Sequence, residues 1–186
     1  MKILKYSILF IILYILSTAI TYSSVRLICA KSLSFTYSES YNKPLRIQHK
    51  SALGLMLNIF ICNTFVCIFS IVGGFCIGRI IVILLPIING IYLGFVLSKI
   101  PEEYVSRAIV YGILPHGIFE TIALGISWSI GYTVANCETW SCFKKVLTQN
   151  RRYLIMTFIL LIVAAFIEAY ITPRLIELYL LHRSVH

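Results

Sequence analysis

Two side chains in the middle of an apolar run have the types that do chemistry. His116 and Glu120 stand four residues apart in "LPHGIFE" (114–120). On a helix that spacing places both on one face, where an imidazole and a carboxylate can pass a proton or hold a cation. Glu168 is a second acid in an apolar setting, within "AAFIEAYITP" (164–173), and Thr172 and Pro173 follow it. A charged side chain at mid-bilayer costs about 2.5–3.5 kcal/mol on insertion scales. Each carboxylate is therefore expected inside a bundle, near water, paired or protonated. With Asn58, Asn63 and Asn89, these residues make one candidate polar cluster.

Three roles compete for that cluster. As structural glue it would hold helices together through hydrogen bonds worth about 0.6–2 kcal/mol each, and this is the expected role. Intramembrane carboxylates beside broken helices also mark ion, proton or solute paths. Docking of a partner's transmembrane helix is the third. No metal and no cofactor are expected: "HGIFE" supplies two ligands where a catalytic zinc takes three, and His-Glu-x-x-His is absent.

The local backbone around His116 is itself unusual. Pro115 has no N–H, so an unbroken helix would orphan the Tyr111 carbonyl, and lipid cannot satisfy it. Gly117 permits a turn or a close backbone approach. Pro115–Gly117 is therefore expected to break the chain, as Pro173 ends the last helix. A second pattern, "EEYVSR" (102–107), places Glu102 and Glu103 before Arg107 as in CAAX-type intramembrane proteases. A separate second histidine-bearing helix, which such enzymes use to position water, is missing. The pattern reads as a helix start with a Glu103–Arg107 pair, and no enzyme is expected.

The elements that must position these groups follow from composition. Of 186 residues, 59% are hydrophobic and 12% charged, and the mean hydropathy is +0.90. A soluble domain of this size cannot hide so much apolar surface. Runs such as "IIVILLPII" do not alternate, which excludes a β-barrel. The fold class is all-α: a helical integral membrane protein, one polytopic domain over 1–186. Spans are expected at about 3–25, 51–72, 79–98, 118–135 and 153–172, with Pro86 kinking the third. The first reads as an uncleaved helix, since its apolar part reaches span length.

The apolar stretch 104–135 is too long for one span of roughly 20 residues. The Pro-His-Gly divides it, leaving 102–114 as a half-helix. Loops are expected at 26–50, where Leu33, Phe35 and Tyr37 could lie along the membrane surface, and at 136–152. A surface tail follows Pro173.

The formal charge of +9 comes from Lys and Arg in short loops and at span ends, where they anchor spans against anionic headgroups. The bilayer is the implied partner and nucleic acid is not. The compact basic start favours a cytoplasmic N-terminus and an outside C-terminus, although the N-terminal side holds seven Lys/Arg against nine opposite. Cys137 and Cys142 share one loop, and a disulfide there would invert this orientation. Gly74–Gly78 and Gly90–Gly94 are Gly-x-x-x-Gly spacings, and Gly125 with Ser129 is a small-residue equivalent. These are expected to pack helices within the monomer, with a homodimer as the alternative.

"LPHGIFE", preceded by "INGIYLG" (88–94) and "LNIFICNTF" (57–65) and followed by "AAFIEAYITP", resembles the stage II sporulation protein M family over nearly the whole chain. The resemblance implies a multi-pass prokaryotic cell-membrane protein acting as a non-enzymatic scaffold. It would recruit other membrane proteins and cell-envelope enzymes. A transporter or permease-like component using the His/Glu site is the alternative.

Overall fold

In lipid every backbone polar group must be satisfied internally, and a computed structural model of the chain meets that demand with helices. It describes residues 2–32 and 51–176, among which no strand occurs. The elements are α1 (Lys2–Ser32), α2 (Ala52–Cys76), α3 (Arg79–Ser98), α4 (Glu102–Arg107), α5 (Leu114–Val134), α6 (Trp140–Gln149) and α7 (Arg151–Phe166). Two π-helical segments, Ala108–Ile113 and Ile167–Ile171, follow α4 and α7. Five runs are long and apolar enough to cross a membrane: Ile3–Ile28, Ala52–Cys76, Arg79–Ser98, Glu102–Val134 and Arg151–Ile176. The chain is a multi-pass membrane protein.

Three local expectations change. The first helix runs past Arg26 to Ser32 instead of ending in a loop. The stretch 136–152 contains α6, whose Phe143 enters the core beside Phe75, their rings 4.7 Å apart. Its sequence carries the signs: Thr139 caps the Cys142 N–H at 3.3 Å, and Trp140, Phe143 and Leu147 recur at helical spacing. Residues 102–114 are not a half-helix ending at Pro115. They join α5 in one run of 33 residues, and the interruption lies in the π segment just before the proline. The amphipathic 33–37 stretch and the tail beyond Ile176 lie outside the described residues.

The core forms around α5, which packs against α1, α2 and α7. Small residues make this possible. Gly90 meets α1 at Tyr14 and Ser17, Gly94 meets it at Thr18, Thr21 and Tyr22, and Gly74 faces the Gly131 backbone. Gly74, Gly90 and Gly94 thus face helices of the same chain, where a Cβ at any of the three would enter the neighbour. Gly78 has another role. Nothing lies within 4 Å of its would-be Cβ, and its φ of 97° makes it the turn between α2 and α3. Gly131 is a packing glycine that the spacing did not single out, and it lies against Ser70.

Polar threads reinforce the seams. Ser7 donates to the Gly125 carbonyl at 3.1 Å and lies 3.0 Å from the Ser129 hydroxyl, joining α1 to α5. Pro86 is buried in α3 and cannot donate to the Val82 carbonyl four residues earlier. The Trp128 indole N–H of α5 donates to that carbonyl instead. One proline's missing donor is thus replaced by a tryptophan from a neighbouring helix. Cys137, just after α5, is disulfide-bonded to Cys142 in the first turn of α6.

Candidate functional site

Both π segments end at a proline-containing turn, and the candidate site lies between them. Ala108–Ile113 precedes Pro115, and Ile167–Ile171 precedes Pro173. The Leu114 N–H reaches the Ile109 carbonyl and the Thr172 N–H the Ile167 carbonyl, both five residues back. In such a ladder a carbonyl four residues before a proline can use the N–H one residue after it. The wider turn thus removes the need for a chain break. Such π segments also recur at functional sites.

The first π turn sets the rotation of α5, so that His116 and Glu120 turn toward α2 and the end of α7. The second presents Glu168 and is followed by Thr172. His116 Nε2 lies 3.7 Å from Glu168 Oε2, and His116 Nδ1 lies 3.5 Å from Thr172 Oγ1. Ligand-type atoms of His116, Glu120 and Glu168 all fall within 4.8 Å of one another. From α2, the Asn63 side chain stands beside the Glu120 carboxylate. All three chemistry-bearing residues are partly buried, with the His116 side chain 12% exposed and Glu168 35%.

The structure thus unites four of the six residues expected in the polar cluster. Asn58 lies exposed on α2. Asn89 lines a separate small recess with Phe10, Cys67, Ser70 and Trp128. Thr172 belongs to the site and was marked in the sequence only as Glu168's neighbour. Pro115 and Pro173 help frame it through the π turns, but Pro173 does not end the last helix, which runs on to Ile176 because the π turn absorbs the missing N–H. Gly117 supplies no chain break; it stands within α5, where a Cβ would touch the Ile113 side chain at 3.4 Å. Glu102, Glu103 and Arg107 lie exposed on α4, while His116 pairs with Glu168 instead.

The depth of the site follows from position. Asn63 stands about halfway along α2, and His116 near the middle of the 33-residue run. At about 1.5 Å per residue that run is roughly 50 Å long, against a hydrocarbon core of about 30 Å. The cluster belongs to the interior of the spans.

The profile of the family described as Stage II sporulation protein M matches residues 7–173. The chain belongs to the stage II sporulation protein M family. That match takes in both π segments and every residue of the polar site. An uncharacterized protein of Methanocaldococcus jannaschii is 36% identical over 104 residues, covering 51% of this chain and 58% of that protein. The chain thus matches little more than half of this relative's length. No solved structure matches the chain.

Proposed function

We propose that this stage II sporulation protein M family member is a non-enzymatic scaffold of the cell membrane that organises other membrane proteins, cell-envelope enzymes among them. The observation that supports this reading best is the division of polar and apolar surface. Hydroxyl, indole, imidazole and carboxylate groups join helices of this one chain. The outward positions of α2 and α7, including Ile61, Phe65, Ile68, Ile155, Phe158 and Ile159, are apolar and exposed. Such a rigid bundle can meet lipid or a partner helix without rearranging. Purification in a mild detergent should recover the chain with a reproducible membrane partner. A monodisperse chain that repeatedly purifies without one would count against the scaffold.

A second reading, a transporter or permease-like component, draws on the inward position of His116, Glu120 and Glu168. Solute or proton flux lost in a normally assembled Glu120→Gln variant would favour it.

For orientation we infer an N-terminus outside and a C-terminus inside, the reverse of the arrangement that the basic start favours. The Cys137–Cys142 bridge suits an oxidising compartment, and five spans put that connection on the N-terminal side. The excess of Lys/Arg, nine against seven, then lies inside. A membrane-impermeant thiol reagent applied to intact cells should label the pair only after an impermeant reductant. Labelling that requires membrane rupture would reverse the assignment.

A further inference from the structure

We propose that His116, Glu120 and Glu168 form an intramembrane binding site for one divalent transition-metal ion, with Thr172 orienting the imidazole. "HGIFE" alone offers two ligands. The fold brings Glu168 to them from 48 residues downstream of Glu120, making the three that an open metal site uses.

The donor geometry is near what a metal needs. The three ligand atoms lie within 4.8 Å of one another, and the imidazole and Glu168 are 3.7 Å apart. Metal bonds of about 2.0–2.2 Å hold tetrahedral neighbours roughly 3.3–3.6 Å apart, so His116 and Glu168 are almost in place and the widest pair must close by about 1 Å through side-chain rotation. One imidazole with two carboxylates suits Zn2+, Mn2+, Fe2+ or Co2+. Cu(I) prefers thiolates, and Mg2+ and Ca2+ prefer all-oxygen sites.

The surroundings supply an independent observation. A metal-bound histidine nearly always engages its other ring nitrogen with a polar group, and bound carboxylates are themselves hydrogen-bonded. Here the Thr172 hydroxyl stands 3.5 Å from His116 Nδ1, so Nδ1–H can donate to it and leave the Nε2 lone pair toward Glu168. On the other side, the Asn63 amide stands beside the Glu120 carboxylate, within reach of a bound acid's free oxygen. The charges point in the same direction. Two carboxylates are gathered in an apolar bundle against a single imidazole, and a dication balances both.

Such an ion would tie α5 to the π segment that follows α7. It would act whether or not the chain recruits partners, so metal binding and scaffolding can fail separately. The test uses the full chain in detergent, stripped with a chelator and dialysed. Co2+ is added while its visible absorption is followed, and bound Zn2+ and Mn2+ are counted by elemental analysis. One equivalent of Zn2+ or Mn2+ per chain is expected, with Co2+ absorption saturating at the same ratio. Glu168→Gln and Glu120→Gln should each weaken binding at least 100-fold, and Asn63→Ala about 10–100-fold, the usual range for an outer ligand partner. A His182→Ala/His186→Ala variant should bind as the unaltered chain does, separating the site from tail histidines. Helical content and elution profile are checked in metal-free buffer for every variant. If the glutamines prevent folding, Thr172→Val replaces them, with weaker binding again expected. Absence of stoichiometric metal in the folded chain would overturn the proposal, as would unchanged affinity in a folded Glu168→Gln or Thr172→Val variant.

Discussion

The bundle meets the same chemical problem in two places and solves it differently. Pro86 and Pro115 each deprive a span of one N–H. At Pro86 the orphaned Val82 carbonyl receives the Trp128 indole within a tight apolar core that includes Phe10. At Pro115, and again at Pro173, the helix widens into a π turn, and polar side chains collect beside it. A borrowed donor leaves the helix regular and requires a large aromatic held in one place. A π turn needs no donor from outside, but it re-aims the side chains that follow. One arrangement builds a core; the other builds a site.

The largest way to break that contrast is Trp128→Ala. It removes a fully buried ring and the donor together, and a loss of about 3–5 kcal/mol is expected, read as a fall in midpoint for unfolding in detergent. Trp128→Phe keeps most of the volume and orphans the carbonyl alone, which should cost about 1–3 kcal/mol. Adding Pro86→Ala to that variant returns an N–H to α3, so the double variant should recover much of the loss. A double variant no more stable than Trp128→Phe would show that the indole acts by packing only.

Pro115→Ala sharpens the other side. It allows the π turn to relax to an α-helix, which rotates α4 against α5 by roughly 100°, one residue's turn. Stability should change by about 1 kcal/mol or less, while hydrogen exchange at 108–113 slows. A large destabilisation would mean that the π turn is imposed by packing and not by the proline. Smallest of all is Ser7→Ala. The Ser7 hydroxyl joins α1 to α5, and interhelical bonds of this kind average about 0.6 kcal/mol. A loss above about 2 kcal/mol would place the polar seam on a par with the core.

Much of this was legible before any coordinates. The five spans follow from apolar run lengths, and "LPHGIFE" with Glu168 marked the site residues. Helix α6 was less legible because its short apolar stripe lies in a polar stretch. The role of Thr172 was hidden, since a threonine one residue before a proline has many ordinary uses. Asn58 and Asn89 looked equivalent to Asn63, because all three are asparagines in apolar helices. Asn58 and Asn63 stand five residues apart on α2, about 140° around it, and only the packing decides which of the two faces the bundle.

That division has a physical basis. Secondary structure in a membrane span is decided locally: lipid offers no hydrogen bonds, so an apolar run of sufficient length must satisfy its own backbone, and sequence alone says where. The meeting of His116, Glu120 and Glu168 is not local. It depends on two π turns setting the rotation of their helices and on glycines letting the bundle close. A sequence records the spacing of side chains along each helix, and tertiary packing decides which faces meet.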